Sequence, residues 1–208
     1  MYMRSVVRVM GQLQMNWVIK ILIISDFLIW VSNQLFVPLF AVFVTDQLFG
    51  GSLEVVGIST SIYFVTKSVV EAPIGMWIDR TKAEKDDLLT ALVGTILTAL
   101  VFFSYNFMRE IWQLYVAQGI LGIGAAIAFP GWYSIFTRHI DKHKEALEWS
   151  LYDVLLGIGM AGSAALGGFL ATVYGFHLVF NLAGISTIAG ALLLLTIKNK
   201  ICLREKFC

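Results

Sequence analysis

The sequence predicts an all-α integral membrane protein built from six transmembrane helices. Two observations carry that prediction. Of the 208 residues, 58% are hydrophobic and only 14% are charged, with a mean hydropathy of +0.79. Soluble domains carry about a quarter charged residues, so a chain this apolar cannot cover a water-facing surface. The apolar residues are also gathered into six runs, each long enough as a helix to cross about 30 Å of hydrocarbon.

Residues 1–16 read as a short cytoplasmic lead-in carrying Arg4 and Arg8. The spans are expected near Trp17–Val44, Val55–Ile78, Leu88–Tyr105, Ile111–Thr137, Leu147–Val173 and Phe176–Ile197, so the bundle fills residues 17–197. A basic cytoplasmic tail, residues 198–208, follows. The first run is too long for the core of a signal peptide and is read as a span.

The basic residues set an orientation. Arg4, Arg8 and Lys20 precede or open the first span. Arg80, Lys82 and Lys85 follow the second, Arg138, Lys142 and Lys144 follow the fourth, and Lys198, Lys200, Arg204 and Lys206 follow the sixth. Every lysine and arginine except Lys67 and Arg109 therefore falls on one side, which predicts that both termini are cytoplasmic. Trp17, Trp77, Trp112 and Trp149 lie near span ends, as an interfacial aromatic belt requires. Cys202 and Cys208 read as free cytoplasmic thiols, and His139, His143 and His177 form no zinc-type pattern, so neither a metal nor a cofactor is expected.

Polar residues inside the spans are the candidates for function, because a charge at mid-bilayer costs about 2.5–3.5 kcal/mol on insertion scales. In the first span, Asp26, Trp30, Asn33 and Val37 follow a 4-3-4 spacing that places them on one face, with Gln34 adjacent. They read either as a substrate or proton contact or as a buried, satisfied polar patch. In the second span, Lys67 and Glu71 are one turn apart and read as a self-neutralising structural pair or as a gating or substrate pair. Tyr115 and Gln118 share a stripe of the fourth span with Gly122 and Phe129, and Tyr152 and Asp153 lie one to two turns into the fifth. Prolines 38, 73 and 130 all fall within spans.

Between the second and third spans stands the charged loop Gly75-Met-Trp-Ile-Asp79-Arg80-Thr-Lys82-Ala-Glu-Lys85. It resembles the loop between the second and third helices of the major facilitator superfamily, usually Gly-x-x-x-Asp-Arg-x-Gly-Arg-Lys. Gly75, Asp79, Arg80 and Lys85 are read as its matching residues, while Lys82 stands for the second glycine and Ala83 for a basic residue. The fifth span, with Gly159, Gly162, Gly167 and Gly168, resembles the family's Gly-x-x-x-Gly-Pro-x-x-Gly-Gly helix, with Ser163 and Ala164 in place of the Gly-Pro pair. The fourth resembles its Arg-x-x-Gln-Gly helix through Gln118 and Gly119, with Tyr115 where the arginine is expected. Both departures weigh against drug–proton antiport. The run from Gly168 through Gly175 and Phe176 to Phe180 resembles the family's turn between helices five and six.

The resemblance covers about residues 20–197 and implies half of a twelve-helix transporter. It implies secondary active or facilitative transport of a small solute by alternating access, and six spans in one orientation lead to the expectation of a parallel homodimer with the substrate path on its axis. The proposed pathway set is Asp26, Trp30, Asn33, Gln34, Lys67, Glu71, Tyr115, Gln118, Tyr152 and Asp153. In a pair of copies, Asp79 would meet the N-terminal end of the other copy's fifth helix, and Arg80 would pair with its Glu145 or Glu148. With Gly75 and Lys85 these residues form an expected cytoplasmic gate, while Gly159, Gly162, Gly167 and Gly168 serve helix packing.

The alternatives are a non-transporting scaffold or a half that needs a different partner half. No nucleophile elbow, zinc-protease pair or phosphate loop is present, so an enzyme is not expected. The basic residues follow topology rather than forming a nucleic-acid patch. The expected partners are a second copy, a small-molecule substrate, protons and membrane lipids. The expected location is a cell membrane, as a multi-pass protein of a prokaryotic plasma membrane.

Overall fold

A computed structural model describes residues 16–81 and 84–201. Within them the chain is almost wholly helical and contains six helices long and apolar enough to cross a membrane: Trp17–Gln47, Leu53–Thr81, Glu84–Phe107, Ile111–His139, Glu145–Tyr174 and Phe176–Leu195. The expected spans agree with these to within a few residues. Lys82, Ala83, Cys202 and Cys208 lie outside the described residues, as do Arg4, Arg8, Arg204 and Lys206.

Local sequence explains the breaks. Asn16 caps the first span, its side chain accepting from the Val18 amide at 3.1 Å. Pro38 interrupts that span with a 3₁₀ turn over Val37–Leu39, whereas the helix continues through Pro73 in the second span and Pro130 in the fourth. Glu110 and Gln113 form a reciprocal capping box at the start of the fourth span. Gly175, at φ +81°, makes the turn between the fifth and sixth spans in a conformation that a side chain would strain.

The packing order is an open arc. The second span packs on the fourth, the fourth on the third, the third on the sixth, the sixth on the first and the first on the fifth. The second and fifth spans are therefore the arc's two ends, and only 11% and 17% of their most apolar windows are buried. Lipid tails are as apolar as leucine, so these helices associate through close fit rather than exclusion of water. Gly94 and Gly124 put the third and fourth backbones in contact: a Cβ on Gly124 would lie 3.0 Å from the Gly94 carbonyl oxygen.

Two cores fill the bundle. One, towards the end that carries the basic loops, gathers Ile19, Leu22, Leu88, Trp132, Phe136, Tyr152 and Leu194. The other is aromatic and lies towards the opposite end. Phe36 and Phe43 meet Phe180 edge-on, each with centroids 4.9 Å apart, and Tyr105 lies against all three.

Candidate functional site

Between these cores the first four spans, with Leu194 of the sixth, line a partly open cavity of about 480 Å³. The first span contributes Asp26, Trp30, Asn33, Gln34 and Val37 to its wall, so the 4-3-4 face does point to one space. Lys67 enters from the second span and Gln118 from the fourth. Gly122 fixes the approach of those two helices, because a Cβ there would lie 2.6 Å from the Tyr63 carbonyl oxygen and 3.2 Å from the Lys67 backbone nitrogen.

The polar groups are unevenly satisfied. The Tyr152 hydroxyl donates to an Asp26 carboxylate oxygen, linking the fifth span to the first. Asp26 is buried, with 7% exposure, so losing that donor would leave a costly group. Gln118 Nε2 donates to the Tyr105 hydroxyl at 3.3 Å. The side-chain oxygen of Gln34 is buried without a hydrogen-bond partner. Lys67 Nζ lies 3.8 Å from a Glu71 carboxylate oxygen and 4.3 Å from the centroid of the Phe129 ring.

The remaining candidates are placed elsewhere. Glu71 reaches the cavity wall through Lys67, and Tyr152 through Asp26 and the ring of Trp132. Tyr115 packs on the aromatic core instead. Asp153 is exposed on the fifth span and lies outside the cavity wall.

At the basic end, Asp79, Arg80 and Lys85 are exposed, and Asp79 and Arg80 have no ion-pair partner among the described residues. A Cβ on Gly75 would meet nothing within 4 Å. Counted from Gly75, the family's terminal lysine position falls on the buried Glu84, and Lys85 lies one residue beyond it, which corrects the motif match. Glu145 is exposed, but Glu148 is fully buried in its own chain. Its carboxylate turns back to accept from the Asp141 amide at 3.4 Å, so in this arrangement it is not offered to an arginine of another copy.

The fifth-span glycines divide into two faces. Gly159 and Gly167 meet the first span, where a Cβ would collide with Phe27 and with the Leu35 carbonyl, and Ser163 between them donates to the Val31 carbonyl. Gly162 and Gly168, read from sequence as packing residues, meet nothing within 4 Å of an added Cβ. Helix rotation puts them on the open face.

Sequence reasoning missed one strong contact. Arg138 Nη1 lies 2.7 Å from Asp87 Oδ2, and Ser134 donates to the same oxygen at 2.8 Å. The pair joins the start of the third span to the end of the fourth, where each helix dipole favours the charge present. It also missed Tyr63 and Trp132, which join Phe129 in the aromatic wall.

The sequence profile of the Major Facilitator Superfamily matches residues 22–201. Among solved structures, the fold is similar to that of the POT family transporter PepTSo, determined in meso, with a TM-score of 0.69 at 15% identity. That match covers 90% of this chain and 39% of PepTSo, so the chain spans about two fifths of the length of that transporter. A comparison with curated proteins finds no match.

Proposed function

Because the chain belongs to the Major Facilitator Superfamily, we propose that it carries a small solute across a membrane by alternating access, as a parallel homodimer of six-helix halves. Its membership and its six apolar helices make it a multi-pass membrane protein and point to transport rather than catalysis. The observation that carries the reading is the cavity, which collects Asp26, Asn33, Gln34, Lys67 and Gln118 from three spans. A bundle that served only as a scaffold has no need to hold these costly groups around an open space.

The homodimer is supported by what the arc leaves uncovered. The second and fifth spans are the least buried, and Gly57, Gly75, Gly157, Gly162 and Gly168 on them are open to a close neighbour. A second copy inserted in the same orientation, related by a twofold axis along the membrane normal, would set the second span of one against the fifth of the other. The substrate path then runs along that axis, walled by both cavities. Asp79 reaches the N-terminal end of the second copy's fifth helix, where the dipole favours an anion, and Arg80 reaches its Glu145. These contacts close the basic end and break when it opens. We place that end in the cytoplasm, from the lysine and arginine bias, and the protein in a prokaryotic plasma membrane.

The cavity suits a polar or cationic solute with apolar parts, and Asp26, Glu71 and Asp153 are the groups that a coupled proton would use. The test is the protein mass in mild detergent, followed by thermal unfolding against a solute panel. A two-chain mass with stabilisation by one solute class is expected. A one-chain mass with no stabilisation favours a half that needs a different partner half.

A further inference from the structure

The transport reading above leaves the solute class open, and the surroundings of Lys67 narrow it. Lys67 is the one lysine or arginine in the cavity wall among the described residues. Its ammonium sits over the face of Phe129 with the Glu71 carboxylate beside it. A ring face and a carboxylate around one positive charge form an ammonium-recognition site. Trp30 and Phe129 meet in a T-shaped pair with centroids 5.9 Å apart, and Tyr133 stacks on Phe129 at 5.8 Å, so the ring has two aromatic neighbours.

The Lys67 backbone is fixed while its head is not. The close approach at Gly122 anchors the backbone. The side chain is 23% exposed, and the ion pair with Glu71 is long at 3.8 Å. A cation that takes the place of the lysine head keeps the Glu71 carboxylate compensated and the Phe129 face occupied, whereas an anion does neither.

We propose that Lys67 is a tethered surrogate for the solute, and that the Phe129–Glu71 seat is the binding site for the ammonium group of an organic cation, which displaces the lysine head on entry. The tethered cation keeps Glu71 paired when the site holds no solute, which avoids an uncompensated carboxylate at membrane depth. The proposal rests on the transport reading and makes Lys67 a specificity-determining competitor rather than an anion-binding group.

The test uses the purified full chain in detergent, with benzyltrimethylammonium, benzenesulfonate and benzyl alcohol as cationic, anionic and neutral probes of similar size. Calorimetric titration and thermal unfolding are expected to report binding of the ammonium alone. Lys67→Gln removes the competitor and is expected to bind it about tenfold more tightly, in line with a desolvated cation–π contact. Lys67→Arg holds the ring more firmly than lysine and is expected to bind it several-fold more weakly. It keeps the charge, so it reports alone if the glutamine variant does not fold. A purely structural lysine predicts the reverse order, with the glutamine variant weaker and the arginine variant unchanged, and that result overturns the proposal. So does stabilisation by benzenesulfonate that Lys67→Gln abolishes. If the ammonium binds as expected but is not taken up by proteoliposomes, the seat stands and transport falls. If uptake is found only for neutral or anionic solutes, transport stands and the seat falls.

Discussion

Tyr152 of the fifth span donates its hydroxyl proton to Asp26 of the first, across 126 residues of sequence. The contact joins the cavity wall to a helix at the end of the arc, so movement of one is felt by the other. Tyr152→Phe is expected to destabilise the protein by about 1–3 kcal/mol, because it removes a donor from a buried carboxylate. Asp26→Asn/Tyr152→Phe should lose less than the sum of the two single changes, since one contact is removed in all three variants. Thermal unfolding in detergent measures both, and simple additivity would contradict the pairing.

The Arg138–Asp87 pair is a different kind of link. Arg138→Gln leaves a carboxylate that is fully buried and already has one oxygen without a partner. We expect a loss of about 3 kcal/mol. The double variant Asp87→Asn/Arg138→Gln should recover part of that loss, because no uncompensated charge remains. Equal melting temperatures for the single and double variants would show that the charge pairing is not what matters there.

The two faces of the fifth span separate folding from assembly. Gly167→Leu is expected to unfold or strongly destabilise the chain, because even a Cβ collides with the Leu35 backbone. Gly162→Leu should leave the melting temperature of the single chain nearly unchanged and reduce the fraction of dimer in cross-linking. A Gly162→Leu variant that dimerises normally would place the second copy elsewhere.

At the basic end, Asp79→Asn should bias the protein towards opening on that side, by removing the anion from the facing helix terminus. Single cysteines introduced near the span ends, in a background without Cys202 and Cys208, should then label faster with a membrane-impermeant thiol reagent. Unchanged labelling would remove Asp79 from the gate.

Much of the fold was legible because each span announces itself as an apolar run, and the 4-3-4 spacing of Asp26, Trp30, Asn33 and Val37 identified the cavity face of the first helix. Spacing within one helix gives no rotation relative to its neighbours. That is why Gly159 and Gly162 looked alike but face different ways, and why Glu148 looked available although its own chain buries it. Arg138 was read only as a topology charge and Asp87 was given no role, since nothing in the sequence shows that residues 51 positions apart converge. Phe129 was placed on the Tyr115–Gln118 stripe, but spacing within the fourth span could not show Lys67 of the second over its ring.

Transport by this chain alone, as a pair of copies, through the cavity that holds Asp26 is the central proposal. Its most direct test is uptake of a cationic, neutral and anionic solute panel by proteoliposomes containing only the purified chain, compared with Asp26→Asn and Gly162→Leu. Saturable uptake of a solute, lost in Asp26→Asn and reduced in Gly162→Leu in proportion to the dimer lost, is the predicted result. Uptake indistinguishable from protein-free vesicles across the panel, or uptake untouched by both substitutions, would contradict it.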